Sequence, residues 1–206
     1  MDANVIGKAE LLGLPGVGKT HVLNEVDKDL SINLPLPSHK AAERKKLNKT
    51  VNVLRGGLMF PNLIFVLVLN FLKNRKKITS GLQYFRMVIV LLERSGEVNS
   101  RQVGTSDEGI YQAIWGILFR CRVPVIEEMN LLSKILSILS VDVDLIFISS
   151  SKKVHFNRYL NRLDQRCNDF FEFTNMQNYL HGRHVLAVIL TYCKKNDISV
   201  SFFSNP

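Results

Sequence analysis

The residues with the clearest chemical potential form the segment Gly13-Leu14-Pro15-Gly16-Val17-Gly18-Lys19-Thr20. It has the spacing GxxxxGK[ST], in which glycines let the backbone curl around a phosphate and present successive N–H groups to it. The lysine neutralises the β- and γ-phosphates of a nucleoside triphosphate, and the next hydroxyl coordinates Mg²⁺. We therefore predict that Lys19 is catalytic and that Thr20 is a Mg²⁺ ligand. The residues predicted to contact the nucleotide are Gly13, Pro15, Gly16, Val17, Gly18, Lys19, Thr20 and His21.

An acidic pair, Asp107 and Glu108, follows the predicted strand 102–106 and precedes Gly109. Mg²⁺ at a phosphate-binding loop is usually also held through an aspartate at the end of a neighbouring strand. We predict that Asp107 binds Mg²⁺ through water, and that Glu108 is a catalytic base or positions an acceptor. The alternative is that both acids only favour the first turn of a helix through its dipole.

Three arginines, Arg158, Arg162 and Arg166, are spaced four residues apart in the predicted helix 153–171. On a helix they share one face over ~12 Å of the axis. We predict that Arg158 and Arg162 are catalytic, closing over the nucleotide and stabilising charge on the transferring phosphoryl group. The alternative is a solvated basic face paired with nearby aspartates.

Two histidines, His181 and His184, are three residues apart, a spacing that can place two imidazoles on one side of a helix as metal ligands. Gly182 between them weakens the helix, and no third ligand of convincing type lies nearby. We expect a structural role for this pair.

These groups require a framework that brings distant segments together, and the hydrophobic pattern predicts one in which strands alternate with helices. Such alternation is typical of a parallel sheet covered on both faces. The predicted strands are 5–12, 102–106, 143–149 and 198–203, with a further short strand within 34–37. The predicted helices are 19–30, 40–54, 58–72, 81–93, 110–119, 126–139, 153–171 and 178–194.

Composition and cysteine usage indicate the compartment. With 206 residues, 46% apolar and 22% charged, the chain suits a single globular domain. Its three cysteines are scattered and odd in number, so neither a disulfide framework nor a zinc site is predicted, and the N-terminus lacks the pattern of a secretion signal. We expect a cytoplasmic protein. The apolar stretch 58–72 is interrupted by polar residues and proline and falls short of the ~20 residues that span a bilayer, so a buried helix and no membrane span are predicted.

A net charge of +9 also raises the question of nucleic-acid binding. The basic clusters at 40–49 and 73–77 lack the interleaved aromatic residues of a base-stacking surface. Solvated helix ends, together with a site for a polyanionic nucleotide, are the favoured interpretation. Nucleic acid remains an unfavoured partner.

The loop motif, the Asp-Glu-Gly triplet at 107–109 and the strand 143–149 followed by spaced arginines resemble the P-loop kinase group, which includes thymidylate and other nucleotide kinases. The similarity covers nearly the whole chain. It implies an α/β fold, a P-loop NTPase three-layer sandwich with a mostly parallel, about five-stranded sheet, and Mg-ATP as donor. It further implies one domain, 1–206, with a helical insertion around 40–96 and an arginine-bearing lid around 151–171.

The chain departs from thymidylate kinases at the acidic motif, where Glu108-Gly109 stands in place of an arginine that serves the acceptor. The leading expectation is an ATP-binding phosphotransferase that moves the γ-phosphoryl of Mg-ATP to a small nucleotide, nucleoside or sugar-like acceptor. One alternative is a P-loop ATPase that couples hydrolysis to a partner, and another is a non-catalytic nucleotide- or nucleic-acid-binding module. A GTPase is disfavoured because the chain has no Asn-Lys-x-Asp motif.

Overall fold

A computed structural model describes residues 9–14, 17, 39–98, 105–106, 109–140, 144–150 and 176–204, and the structural statements below concern these residues. They form six helices and four strands. In chain order these are β1 Ala9–Leu12, α1 His39–Met59, α2 Pro61–Asn74, α3 Gly81–Val98, β2 Thr105–Ser106, α4 Ile110–Arg120, α5 Val125–Leu139, β3 Asp144–Ser149, α6 Met176–Lys195 and β4 Val200–Ser204.

The four strands form one sheet in the order β2-β1-β3-β4, and each neighbouring pair is parallel. β1 pairs with β2 through Glu10 opposite Ser106, and with β3 through Leu12 opposite Phe147. The chain therefore leaves β1 to form a strand on one side and later crosses to form β3 on the other. The carboxyl ends of β1, β2 and β3 meet at one edge of the sheet.

The predicted fold class is wrong. The protein is mostly helical, with about 72% of the described residues in helices, and it is not a five-stranded α/β sandwich. The sheet in the described part of the chain has four strands, one of them only two residues long. The segment 39–98 forms three helices, as its local pattern predicted, but α1 and α3 pack on each other rather than on strands, so they do not form an outer layer of a sandwich. The short strand predicted within 34–37 lies outside the described residues.

Glycines allow the close packing of α1 on α3. A Cβ atom on Gly56 would lie 2.0 Å from the carbonyl oxygen of Leu92, and one on Gly96 would lie 2.2 Å from the carbonyl oxygen of Asn52. Only residues without a side chain fit at these positions. The predicted helix 40–54 ends too early, since α1 continues through Gly56 and Gly57 to Met59.

The break between α1 and α2 falls at a proline instead. Pro61 is the first residue of α2, a position where its missing N–H costs little. The two helices meet at 89°. Within the described residues, no single helix is long and apolar enough to cross a membrane, although this bent pair passes that test by length and composition.

The hydrophobic core is centred on α4, where Gln112 is the one residue that is not buried. Trp115 is fully buried and its indole N–H donates to the carbonyl oxygen of Gly182 over 3.1 Å, which ties α4 to α6. The buried Tyr84 on α3 likewise donates its hydroxyl to the carbonyl oxygen of Leu67 over 2.8 Å. α4 is thereby fixed between the sheet and the surrounding helices, with its first residue close to the end of β2.

Candidate functional site

The described part of the predicted phosphate-binding loop begins directly at the end of β1. Leu11 and Leu12 are buried in the core, and Gly13 follows them. Leu14 and Val17 are also buried, and the N–H of Val17 donates to the carbonyl oxygen of Leu14 over 3.3 Å. The loop thus turns back on itself immediately beyond the strand and is anchored by two apolar side chains.

The space around position 13 admits only a glycine. A Cβ atom at this position would lie 2.7 Å from the carbonyl oxygen of Ile148 on β3 and 2.9 Å from Cγ2 of Val17. Contacts this short exclude a side chain unless the backbone of β3 moves. The first glycine of the motif therefore lets the loop run close to the neighbouring strand.

The structure places two of the predicted site residues, Gly13 and Val17, beside the end of β3. The other predicted site residues lie outside the described part of the chain: Pro15, Gly16, Gly18, Lys19, Thr20, His21, Asp107, Glu108, Arg158 and Arg162. Asp107 directly follows Ser106 at the end of β2.

A buried acid that the sequence reasoning missed, Glu10, lies next to the acidic motif. Its Oε1 accepts a hydrogen bond from the N–H of Gln112 over 2.8 Å, and the N–H groups of Tyr111 and Ile110 also serve its carboxyl group. Burial raises the pKa of Glu10 to about 7, and these backbone N–H groups oppose that shift. Its position inside an otherwise apolar strand was the available signal, because a buried acid needs such partners.

Glu10, which lies on β1, therefore caps the N-terminus of α4. The remaining N–H of the first turn, that of Ala113, donates to the carbonyl oxygen of Gly109. A Cβ atom on Gly109 would lie 2.1 Å from Cδ of Glu10, so this glycine admits the carboxyl group. The first turn of α4 contains no acidic residue of its own. Because the N–H groups there already have acceptors, capping does not require Asp107 or Glu108.

A cavity of about 320 Å³ lies beside the loop, between the ends of β1 and β3 and the helix α6. Its walls are mainly apolar, with a few polar groups from β3 and α6. They include Leu14, Val17, Phe147, Tyr179, Arg183 and Leu186. β1 and β3 are the two strands between which the chain changes direction across the sheet, the usual place for a ligand crevice in open parallel sheets.

Two polar groups distinguish this cavity from a packing defect. The Arg183 guanidinium lies 6.0 Å from the ring centroid of Tyr179, within cation–π range. Ser150, just beyond β3, has a buried hydroxyl without a hydrogen-bond partner among the described residues. A buried hydroxyl in that condition is costly unless a ligand or water serves it. Neither residue belongs to a local motif, so the sequence offered no signal for them.

The two histidines each contact a group of the protein. Nε2 of His184 lies 3.1 Å from Oε2 of the fully buried Glu128, and Nε2 of His181 lies 3.1 Å from the carbonyl oxygen of Phe119. Burial, followed by the charge of Arg122, lowers the pKa of His181. No group of three potential metal ligands occurs among the described residues. As the predicted helix 178–194 requires, α6 continues through the intervening glycine.

Comparison with known proteins adds no relative. No protein-family model matches the chain, and no curated protein is similar to it in sequence. Function is therefore inferred from the residues and their geometry.

Proposed function

We propose that this chain binds Mg-ATP at the carboxyl edge of its sheet and transfers the γ-phosphoryl group to a small acceptor. The observation that carries the proposal is the position of the GxxxxGK[ST] motif. It begins at the carboxyl end of β1, a strand flanked on both sides by parallel strands, with Gly13 in contact with β3. This is where a sheet of parallel strands leaves a crevice for a ligand, and where backbone N–H groups of a loop can face phosphates.

In this proposal the loop residues take the donor phosphates. Lys19 contacts the β- and γ-phosphates, and Thr20 and Asp107 hold Mg²⁺, which supplies charge neutralisation when bound. The capping of α4 by Glu10 supports this role for the acidic motif, since the N–H groups of the first turn have acceptors without it. Glu108 then positions the acceptor hydroxyl or takes its proton.

We assign the cavity beside the loop to the acceptor. Its apolar walls suit an organic ring, and Arg183 suits a phosphate or another anionic group on it. Arg183 would thereby fill the acceptor-side role for which the acidic motif offers no arginine. Arg158 and Arg162 remain proposed lid residues that stabilise charge on the transferring phosphoryl group.

A hydrolytic ATPase is the second candidate. The same capping by Glu10 favours it, because Asp107 and Glu108 together could hold Mg²⁺ and activate water. The two functions differ in whether a small acceptor binds.

A thermal-shift screen of nucleotides, nucleosides and sugars, each with Mg-ATP present, separates them. A bound acceptor at 100 times its dissociation constant stabilises the folded state by about 2.7 kcal/mol. The phosphotransferase proposal predicts at least one such compound, with a smaller shift in Arg183→Ala. Rapid ATP hydrolysis with no stabilising compound would instead favour the ATPase.

A further inference from the structure

Helix α2 is apolar on two opposite faces. One face packs into the core through Leu63 and Leu67, both fully buried. The opposite face, here called the outer face of α2, is exposed to solvent. It consists of Phe65, Val68, Leu69 and Leu72, whose exposed fractions are 64%, 37%, 47% and 58%. These four positions fall within a stripe of about 100° on a helix with 3.6 residues per turn.

A second exposed apolar group lies on α3. The rings of Phe71 on α2 and Phe85 on α3 lie 4.6 Å apart between centroids, which brings the two helices together beside the outer face. Phe85 is itself partly exposed, and its neighbours Leu82 and Ile89, which share its side of α3, are 83% and 50% exposed. An apolar surface of this kind marks an interaction site, because single exposed apolar residues are common but clustered ones are not. The prediction of one buried helix over 58–72 is therefore correct for the inner face of α2 and wrong for its outer face, and residues 58–59 belong to α1.

The charge around this surface is mainly positive. Residues 48–92 contain seven lysines or arginines and no aspartate or glutamate, and Lys49 pairs with the adjacent Glu93 over 3.3 Å. Four of these cations, Lys73, Arg75, Lys76 and Lys77, directly follow the outer face and are exposed. One acid from another element reaches them, Glu127 on α5, whose Oε2 lies 3.4 Å from Nζ of Lys73. The surface is therefore apolar at its centre and strongly cationic at its C-terminal end.

We infer that this surface docks onto an anionic lipid membrane, with the outer face of α2 lying in the plane of the interface. The bilayer interface offers both required features together: acyl chains for the four apolar side chains, and acidic headgroups for the cations. Nucleic acid matches the cations but provides no continuous apolar phase for the outer face. A second copy of this chain would bring the same cations against one another, in a protein whose net charge is already +9.

The surface is separate from the proposed nucleotide site. It is formed by α2 and α3, whereas the loop and cavity are formed by β1, β3 and α6. A test of membrane docking therefore does not depend on whether the chain transfers a phosphoryl group.

The test measures co-sedimentation of the full chain with vesicles of phosphatidylcholine alone and of phosphatidylcholine with phosphatidylserine. We expect binding to the anionic vesicles, weak binding to the neutral ones, and a decrease as salt is raised. Lys76→Gln combined with Lys77→Gln should weaken binding by more than about 10-fold. The matched control is Lys194→Gln with Lys195→Gln, an exposed pair at the end of α6.

The apolar contribution is tested by Leu69→Gln. Its matched control is Leu180→Gln, which changes a helical leucine of similar exposure, 56%, on α6. Leu69→Gln should weaken vesicle binding several-fold and Leu180→Gln should not, with unchanged circular dichroism and thermal unfolding in both. Absence of vesicle binding, equal binding to neutral vesicles, or insensitivity to Leu69→Gln would overturn the inference. If the chain does not bind vesicles, two measurements identify the partner instead. Loss of self-association in Leu69→Gln, measured by sedimentation velocity, would assign the surface to a second copy of the chain. Weaker binding of Leu69→Gln to duplex DNA would assign it to nucleic acid.

Discussion

The carboxyl edge of the sheet and the α1–α3 helical region both depend on glycines, but for different purposes. At the sheet edge, Gly13 and Gly109 admit a backbone carbonyl and a carboxyl group, one within the glycine-rich motif and one directly after the acidic pair. In the helical region, Gly56 and Gly96 let two helix backbones approach. The first arrangement buries polar groups and the second leaves apolar groups exposed. Close approach at these four glycines therefore serves two ends, and the surrounding residue types distinguish the sheet edge from helix packing.

The largest effect is expected in the helical region. In Gly56→Ala the new Cβ would collide with the backbone of α3, which can move only by separating the helices. We expect a loss of about 3 kcal/mol in the free energy of unfolding, at the upper end for overpacking. Gly57→Ala is the matched control, since its Cβ would meet Cδ1 of Ile64 at an ordinary 3.5 Å. It should gain about 0.5–1 kcal/mol from helix propensity. Urea titration measures both, and equal stability of the two variants would contradict the packing account.

The element-level prediction succeeded where local pattern decides structure. The apolar run at 143–149 predicts β3, and the helical spacing of apolar residues at 81–93 predicts α3, which the structure extends to Val98. The packing of the helices was not predictable in the same way. Whether α1 and α3 pack on strands or on each other depends on the close approach at Gly56 and Gly96, which are too far apart in sequence to fall within one local window.

The next effect concerns the buried acid at the sheet edge. Because the pKa of Glu10 is raised from about 4.5 to about 7, the folded state holds a proton there that the unfolded state releases. Its stabilisation is therefore present below pH 4.5 and is lost as pH rises through 7. Glu10→Gln keeps an oxygen acceptor for the N–H of Gln112 and removes the titration. The stability of the wild type relative to this variant should fall by about 2–3 kcal/mol between pH 4.5 and 8.

Urea titrations of the two proteins across this pH range provide the measurement. Histidine titrations are common to both and cancel in the difference. A difference that does not change with pH would show that Glu10 is ionised in the folded protein throughout.

Part of the candidate site was likewise predictable and part was not. The loop motif is local, and its glycine-rich spacing identifies Gly13 and Val17 without any fold. Ser150 and Arg183 become recognisable only when β3 and α6 are brought together. Glu10 had a local signal in its apolar strand, but its capping of α4 appears only when β1 meets that helix. Sequence reasoning found the residues that a motif specifies and missed those that tertiary contact specifies.

A smaller effect is expected from Arg183→Ala. KM for the acceptor found by thermal shift should rise about 10-fold, because the variant removes one charge-assisted hydrogen bond between the guanidinium and the anionic group of the acceptor. KM for ATP should stay at the wild-type value. Lys195→Ala on the same helix is the control and should change neither. A rise in KM for ATP instead would place the nucleotide, rather than the acceptor, in the cavity.

The central claim is that the loop at the end of β1 binds Mg-ATP, and titration calorimetry of Lys19→Ala with Mg-ATP tests it most directly. Lys194→Ala provides a lysine control, and circular dichroism establishes that both variants are folded. The account predicts measurable affinity in the wild type and control, and a loss of about 100-fold or more in Lys19→Ala, as expected when one partner of a buried charge pair is removed. Unchanged affinity and turnover in Lys19→Ala, or no Mg-ATP binding by the wild type, would contradict it.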